Sequence, residues 1–292
     1  MGCGVRAGSL RINVAEAEQW AGAPDRAVVD VRSADAFAAG HVPGARNVPE
    51  LFDYNATTDA AGERALRRKF EGVLGRVGLA GSERVLVYED TLHTGLGRSC
   101  RGYALLAHLG FPAPRILDGG YAAWLSAGLP VRSGTPPVAS VRCHPGPADE
   151  SPMVNASEVA AGIGRSDVVR VDVRSESEWR GITNTPLGYD PSIRLGRLPG
   201  ARWLPWTDLL EMSESGSRLA SPELVLARSA AKGVEPDQTI HLYCYKGARA
   251  ACAYVALREA GFNQTGLYLG SWREWGSCAD LPIESLEVEV AS

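Results

Sequence analysis

A cysteine followed at short spacing by two cations is the feature of this sequence best suited to chemistry. Cys244 stands two residues before Lys246 and five before Arg249, in the stretch Leu-Tyr-Cys-Tyr-Lys-Gly-Ala-Arg. Nearby cations favour the thiolate, which is the nucleophilic form of cysteine. Cysteine on its own is more often a buried core residue, so the case for a nucleophile depends on this setting.

The residues around Cys244 predict a strand, a tight loop and a helix. Residues 239–243 form a short apolar run typical of a buried strand, and residues 248–260 favour a helix that ends at Gly261. The N-terminus of such a helix presents backbone N–H groups and a dipole that favour an anion. We expect the following loop residues to stabilise the thiolate and to bind the substrate: Tyr245, Lys246, Gly247, Ala248 and Arg249.

Composition and charge exclude several classes of protein. The chain has 292 residues, of which 45% are apolar, enough for two domains of ordinary size. A net charge of −4 gives no indication of binding to nucleic acid or to an acidic membrane surface. No apolar run approaches the ~20 residues that span a bilayer, and the first residues lack the apolar segment of a signal peptide. We therefore predict a cytoplasmic protein with no nucleic-acid or membrane partner.

The cysteines argue against a metal site and against a disulfide framework. They are scattered along the chain and form no CxxC pair; they are Cys3, Cys100, Cys143, Cys244, Cys252 and Cys278. Such spacing is typical of a protein from a reducing compartment. We predict no metal and no cofactor.

The two halves of the chain repeat one another. Val-Asp-Val-Arg-Ser at 29–33 recurs at 171–175, and Pro-Gly-Ala-Arg at 43–46 recurs at 199–202. Four further matches follow in the same order, at 85–88 and 240–243, 109–111 and 260–262, 119–124 and 270–275, and 129–131 and 281–283. Each half alternates short apolar strands with helix-like segments. The sequence therefore predicts a duplicated α/β domain, each copy a mostly parallel sheet flanked by helices.

The domain boundaries follow from the repeat and from a proline-rich stretch. We predict an N-terminal domain over residues 1–135, a linker over 136–152 and a C-terminal domain over 153–292. The linker is rich in proline and has little apolar periodicity, which indicates an extended connection. Helix candidates are residues 14–20, 59–74 and 97–109 in the first half, and residues 156–163, 222–231 and 247–260 in the second.

The motifs, taken in order, resemble those of the tandem-domain rhodanese sulfurtransferases, a family that uses thiosulfate or 3-mercaptopyruvate. The resemblance rests on Asp-Val-Arg-Ser, on His41-Val-Pro-Gly-Ala45, on Gly119-Gly-Tyr-Ala-Ala-Trp124 and on the cysteine loop, and covers roughly residues 9–283. It implies two rhodanese-like domains, with catalysis in the C-terminal one through a Cys244 persulfide. The partners it implies are a small anionic sulfur donor and a thiol or cyanide acceptor, with a sulfur-acceptor protein as a further candidate.

The first half lacks the nucleophile. Alignment of the repeats places Glu89 opposite Cys244, where a carboxylate would repel an anionic substrate. Cys100 falls opposite Ala251 inside a predicted helix, and we interpret it and Cys252 as packed apolar thiols. The N-terminal domain is therefore expected to be catalytically inactive and to pack against the other domain.

Three residues outside the loop are candidates for a supporting role. Asp172 ends the neighbouring strand and matches a family aspartate that holds the loop by a salt bridge, which we expect to involve Arg249; a strand-end cap is the alternative. Arg180 and Trp206 are candidates for the mouth of the pocket. Their alternatives are a solvated position and core packing, respectively.

The second half also carries an insertion. The segment between the repeated Asp-Val-Arg and Pro-Gly motifs is 14 residues longer there than in the first half, and the resemblance implies that it runs close to the loop. The extra residues are 182–197. Arg197 replaces the histidine found at His41, and is either a surface cation or an added positive charge at the pocket.

Three alternatives to a thiosulfate enzyme stay open. The mercaptopyruvate enzymes of the family tend to have Cys-Gly-Ser-Gly in the loop and an arginine upstream, where Glu178 stands here, so this loop leans towards thiosulfate. A phosphatase or arsenate reductase of the related fold needs five residues between cysteine and arginine, whereas four separate Cys244 from Arg249. A module that hands its persulfide to one acceptor protein would use the same loop.

Overall fold

Two parallel sheets of five strands form the frame of the protein. The computed structural model describes residues 9–20, 23, 25–148, 150–213 and 216–285. The first sheet uses strands between Arg11 and Leu117, and the second uses strands between Met153 and Tyr268. Every strand pairing within both sheets is parallel. The predicted tandem of α/β domains is confirmed.

The first domain has helices on both faces of its sheet. Its sheet order is β1-β5-β4-β2-β3, and its elements are β1 (Arg11–Ile12), α1 (Val14–Trp20), β2 (Arg26–Asp30), α2 (Ala34–Ala39), β3 (Ala45–Asn47), α3 (Glu50–Asp53), α4 (Ala60–Arg76), β4 (Arg84–Tyr88), α5 (Leu92–Gly95), α6 (Arg98–Leu109), β5 (Arg115–Leu117) and α7 (Gly120–Ser126). Side chains of β4 alternate between two apolar clusters, one on each face of the sheet. Val85 and Val87 belong to one cluster, and Leu86 and Tyr88 belong to the other. Burial on both faces explains the unbroken apolar runs of the central strands.

The second domain repeats this order and adds a hairpin. Its sheet order is β6-β12-β11-β7-β8. Its elements are β6 (Met153–Val154), α8 (Ala156–Ala161), β7 (Val168–Asp172), α9 (Glu176–Trp179), β8 (Arg202–Trp203), a 3₁₀ helix (Trp206–Leu209), β9 (Leu210–Ser213), β10 (Gly216–Leu219), α10 (Pro222–Ala230), β11 (Thr239–Tyr243), α11 (Ala248–Glu259), β12 (Thr265–Tyr268) and α12 (Ser271–Trp275). Strands β9 and β10 pair antiparallel.

All six predicted helices are present, with ends within two residues of those expected. Several short elements were not predicted, among them α3, α5, α9 and the β9–β10 hairpin. Helices of four residues have too few turns to show an apolar period, so their sequences carry no such signal. None of the helices in the described ranges combines the length and the apolar character needed to cross a bilayer.

The two domains share one apolar core. Helices α6 and α11 pack against each other across the boundary, and Tyr103 and Ala104 join Ala253 and Val255 in a single buried cluster. Ion pairing adds to this contact, because Nη2 of Arg11 lies 2.6 Å from Oε2 of Glu259. Polar bonds join the domains elsewhere too, since the Thr58 amide and hydroxyl donate to Glu274 at 2.7 and 2.8 Å.

A buried cluster of aspartate, arginine and tyrosine lies at the carboxyl ends of the central strands in both domains. Arg174 donates to Asp172 from Nε at 2.9 Å and from Nη2 at 2.6 Å, and the Tyr243 hydroxyl donates to the same carboxylate at 2.7 Å. In the first domain Arg32 donates to Asp30 from Nη2 at 2.7 Å. The repeated Asp-Val-Arg-Ser motif therefore marks a structural ion pair, which explains its presence in both halves.

Removal of one partner of the buried ion pair in the second domain should strongly destabilise the protein. Replacement of Arg174 by leucine leaves Asp172 buried without its cation, which we expect to lower the free energy of unfolding by about 3–5 kcal/mol. The measurement is urea denaturation followed by circular dichroism. Arg165→Leu is the matched control, because Arg165 and its partner Asp167 are both more than half exposed. Similar losses in the two variants would contradict the prediction.

Candidate active site

Cys244 lies in a tight turn between β11 and α11. Its side chain is only 1% exposed. Gly247 precedes α11 with a φ of +89°, and a Cβ at this position would lie 2.8 Å from the carbonyl oxygen of Leu269. Glycine is required here for two reasons, because other residues avoid positive φ and because the backbone of Leu269 leaves no room. The turn is consequently tight enough to bring the helix N-terminus up to the cysteine.

The sulfur of Cys244 accepts a backbone hydrogen bond. The N–H of Gly247 donates to Sγ at 3.1 Å. The first N–H groups of a helix have no partner within the helix, and the helix dipole places partial positive charge there. The sulfur therefore occupies a position that favours negative charge.

The loop is anchored from the N-terminal end of α12. The Cys244 amide donates to the Ser271 hydroxyl at 3.1 Å, and the Trp272 amide donates to the carbonyl of Cys244 at 3.0 Å. The Arg273 amide donates to the carbonyl of Tyr245 at 2.9 Å. These bonds hold the backbone of Cys244 and Tyr245 in place, which adds to the packing of the buried cysteine side chain.

Ser271 adopts a backbone conformation that serine rarely takes. Its φ is +54°, in the left-handed region, and the first domain has Gly120 with φ +62° at the equivalent place. A non-glycine residue in this region costs about 1–3 kcal/mol. Its hydroxyl accepts the Cys244 amide and donates to the carbonyl of Tyr268 at 2.8 Å. The strained residue thus supplies a hydrogen bond that glycine could not.

Arg249 pairs with Glu178, so the expected ion pair between Asp172 and Arg249 is wrong. The guanidinium donates to the Glu178 carboxylate from Nη1 at 2.6 Å and from Nη2 at 2.8 Å. Asp172 is taken by Arg174 instead. Chain geometry explains this outcome, since Arg174 follows Asp172 by two residues and reaches back to it at the strand end.

The charge of Glu178 is stabilised by this pairing. Burial alone would raise the pKa of Glu178, but hydrogen bonds and charge from Arg249, with the charge of Arg174, hold it below its usual value. The Ser175 amide and hydroxyl also donate to the same carboxylate, at 3.1 and 2.8 Å. The cation of Arg249 is therefore neutralised by a carboxylate at 0% exposure.

A pocket of about 290 Å³ opens onto Cys244 at the boundary between the domains. Residues of both domains line it: Phe52, His93, Leu96, Ser175, Glu178, Pro186, Trp206, Cys244, Tyr245, Lys246, Ala248 and Arg249. The His93 ring stacks on Trp206, with centroids 5.9 Å apart, and the His93 amide donates to the Ser217 hydroxyl of the hairpin at 2.7 Å. The hairpin thereby holds one wall of the pocket.

Lys246 is half-buried rather than exposed at the mouth of the pocket. Its Nζ lies 4.0 Å from the centroid of the Phe52 ring. Burial lowers the pKa of Lys246, and the nearby charge of Arg101 lowers it further. The charge of Asp53 opposes this shift, but no carboxylate of the described residues lies within salt-bridge distance of this lysine.

The equivalent place in the first domain is filled by a carboxylate. Glu89 is fully buried and accepts the backbone N–H groups of Arg98 and Ser99, both at 3.0 Å, at the N-terminus of α6. Burial raises the pKa of Glu89 to about 7, although these bonds and the Ser99 hydroxyl oppose the shift. The side chain of the first domain thus occupies the position that the sulfur has in the second.

The other cysteines with described positions have surroundings unlike those of Cys244. Cys100 and Cys252 are both at 0% exposure, on the facing helices α6 and α11. A hydrogen bond between the Cys100 and Cys252 side chains, together with burial, raises the pKa of the Cys100 thiol. Cys100 is therefore favoured as the neutral thiol, and both cysteines are packed in the apolar cluster shared by the two domains. Cys3 lies outside the described residues.

Two predicted supporting residues point away from the pocket. Arg180 is exposed and pairs with Glu176 one helical turn earlier, at 2.7 Å. Arg197 pairs with Glu284, and its guanidinium lies over the Trp179 ring at 4.0 Å. Both arginines are surface or structural cations, and neither is among the residues that line the pocket. Of the inserted residues 182–197, Pro186 does reach the pocket.

Several pocket residues were missed by the sequence reasoning. Glu178 could have been found, because Ser175 and Glu178 have the spacing of a capping box, which the structure contains. Ser271 could have been suspected from its alignment with a glycine of the first half. Phe52, His93 and Leu96 gave no signal, because only the packing of the two domains brings them to the loop. The described residues contain no group of three or more histidine, cysteine or acidic residues placed to hold a metal ion.

Fold and site together define a tandem rhodanese-like protein. The rhodanese-like domain family matches the chain twice, over residues 13–127 and 155–278. The chain belongs to this family, as its resemblance to the tandem rhodaneses predicted.

Relatives of two specificities are similar to this chain. It is 29% identical over 281 residues to a thiosulfate sulfurtransferase of Azotobacter vinelandii, a match that covers 94% of this chain and 97% of the other. It is 27% identical over 262 residues to a 3-mercaptopyruvate sulfurtransferase of Escherichia coli K12, covering 88% of each. A solved structure, the anaerobic ergothioneine biosynthesis enzyme from Chlorobium limicola, superimposes with a TM-score of 0.77 at 20% identity, over 94% of this chain and 70% of that one. At this identity the likeness shows the fold alone.

The ion pair between Arg249 and Glu178 gives a prediction for acid stability. The pKa of Glu178 is lower in the folded protein than the ~4.3 of an unperturbed glutamate, so the stabilisation is present above that pH and is lost as pH falls through the folded pKa. Glu178→Gln leaves Arg249 buried without a counter-ion, and should lower the free energy of unfolding by about 3 kcal/mol at pH 7. The difference from wild type should shrink below about pH 4.

Denaturation curves recorded at pH 7 and at pH 3.5 measure this effect. Glu176→Gln is the matched control, because Glu176 and its partner Arg180 are both exposed. A difference between Glu178→Gln and wild type that stays constant with pH would contradict the assignment.

Proposed function

We propose that the protein is a sulfurtransferase that moves a sulfane sulfur from thiosulfate to cyanide or a thiol through a persulfide on Cys244. The observation that carries the proposal is the Gly247 N–H at 3.1 Å from Sγ, at a helix N-terminus that opens into a pocket. The names of the relatives agree with sulfur transfer as the reaction class.

The reaction is a double displacement. The Cys244 thiolate attacks the outer sulfur of thiosulfate, the bond between the two donor sulfurs breaks, and its electron pair leaves with sulfite. Cyanide or a thiolate then attacks the outer sulfur of the persulfide, which regenerates the Cys244 thiolate. Backbone N–H groups at the start of α11 stabilise the negative charge on sulfur before and after the first transfer.

The charges around the pocket favour thiosulfate as the donor. Arg249 is neutralised by Glu178, which leaves Lys246 as the cation without a salt bridge among the described residues that line the pocket. A lysine acts as a point charge and suits a compact dianion, whereas a planar carboxylate is better held by the two-pronged guanidinium of a free arginine. Mercaptopyruvate would therefore bind less well than thiosulfate.

Persulfide formation on Cys244 can be observed directly. We expect the intact mass of the wild-type protein to rise by one sulfur atom after incubation with thiosulfate, and to return on addition of cyanide. Cys244→Ser should show neither the gain nor any turnover. Cys278→Ser is the matched control, since Cys278 is a partly exposed thiol outside this pocket, and it should behave as the wild type. A sulfur gain in Cys244→Ser would contradict the assignment.

Lys246→Met should raise KM for thiosulfate by roughly tenfold, because a desolvated charge pair contributes more than the 0.2–1 kcal/mol typical of exposed pairs. The effect should be larger at low ionic strength, since salt screens the attraction between the lysine and a dianion. Steady-state kinetics at two salt concentrations measure it. Lys232→Met removes a lysine that lies over the Trp203 ring instead, and should leave KM unchanged. An unaltered KM in Lys246→Met would remove the lysine from the donor site.

A further inference from the structure

Three cations at the domain boundary lack a carboxylate partner. Arg98, Arg101 and Lys246 form no salt bridge with any residue of the described ranges, although Arg98 and Lys246 are half-buried and Arg101 is fully buried. Two of the three belong to the domain that has no nucleophile. The positive charge around Cys244 is therefore supplied by both domains.

One aromatic ring lies against two of these cations. The Lys246 Nζ is 4.0 Å from the centroid of the Phe52 ring, and the Arg98 Cζ is 3.9 Å from it. Phe52 is 7% exposed and lines the pocket. The face of an aromatic ring carries partial negative charge, so it attracts a cation, and more strongly where water is excluded. Phe52 is thus in direct contact with the Lys246 ammonium, while Asp53 acts on the same ammonium only through its charge, without a salt bridge.

The position of the ring is fixed from inside the first domain. Arg101 donates from Nη1 to the carbonyls of Leu51 and Phe52, at 2.5 and 2.9 Å, and from Nη2 to the carbonyl of Tyr54 at 2.5 Å. These carbonyls belong to the end of α3 and the residue after it. A buried guanidinium with backbone partners alone is unusual, and here it ties the segment that carries Phe52 to helix α6.

We propose that Phe52 supports binding of the sulfur donor by holding the Lys246 ammonium at the pocket, where it attracts a doubly charged donor. A lysine side chain has four rotatable bonds and loses up to about 2 kcal/mol of rotamer entropy when it is fixed. The ring supplies the contact that offsets this cost. The domain without the nucleophile thereby contributes to donor binding in the other domain. This inference rests on the proposed transfer of sulfur from thiosulfate.

A double-mutant cycle between Phe52 and Lys246 tests the inference. Phe52→Leu keeps an apolar side chain but removes the ring face, and should raise KM for thiosulfate by roughly three- to tenfold, with kcat within about twofold of wild type. In a Lys246→Met background the same substitution should leave KM unchanged, because the cation that the ring holds is already absent. Neighbouring residues that act through each other show this non-additivity.

Two further variants separate the cation contact from a loss of packing. Phe52→Tyr keeps the ring and should keep KM near the wild-type value. Phe37→Leu makes the same change at a buried ring that stacks on His41, in an apolar cluster of the first domain, and should leave KM unchanged. Thermal unfolding of each variant verifies folding, and Phe52→Met replaces Phe52→Leu if the latter does not fold.

The outcomes distinguish this inference from the proposed function. An unchanged KM in Phe52→Leu, or an equal rise with and without Lys246, overturns the role of Phe52. Gain of a sulfur atom on Cys244 is measured separately, so failure of the proposed reaction would appear in the wild-type mass and not in the cycle. A rise in KM that disappears in the Lys246→Met background supports the inference.

Discussion

The structure depends on one electrostatic arrangement, a hydrogen-bond acceptor held at the N-terminus of a helix that follows a central parallel strand. In the second domain the acceptor is Sγ of Cys244, and in the first it is the carboxylate of Glu89. Both lie where the carboxyl end of a strand meets the start of a helix, which is the usual place for sites in open α/β sheets. The two domains therefore offer the same site, and the residue that fills it decides whether the site is available to a substrate.

The second site depends on a loop whose backbone is held by hydrogen bonds and whose arginine is already paired with a carboxylate. Gly247 brings the helix N-terminus close to Sγ of Cys244. The hydroxyl of Ser271, a residue with a strained backbone, accepts a hydrogen bond from the Cys244 amide. The bidentate contact with Glu178 fixes the Arg249 side chain and neutralises its charge, so that the pair adds no net charge to the pocket. A preorganised site of this kind needs no rearrangement when negative charge develops on sulfur. Gly247 and Ser271 therefore hold the loop backbone, whereas Glu178 neutralises its arginine.

The two copies of the domain differ in what each contributes to the site. The first domain keeps the Asp-Arg pair and the parallel sheet but places Glu89 against its helix. Its contribution to the pocket comes from other parts, namely the end of α3 and the α5 segment, which form walls facing the loop of the second domain. A carboxylate as deeply buried as Glu89 does not act on the pocket by direct contact. The first domain contributes part of the pocket wall, including the Phe52 ring that lies against Arg98 and Lys246.

The sequence by itself determined the duplication, six of the helices, the parallel strands and the identity of the cysteine in its loop. These follow from local patterns: apolar runs, helix periods, and a glycine beside a cysteine, all of which act within a few residues. Only the tertiary structure decided which carboxylate pairs with Arg249, and that Phe52, His93 and Leu96 line the pocket. Competition between Asp172 and Glu178 for the arginines depends on side-chain reach in three dimensions. The pocket wall depends on how two domains pack, and no pattern within a few residues encodes a contact between positions almost 200 residues apart, such as Phe52 and Lys246.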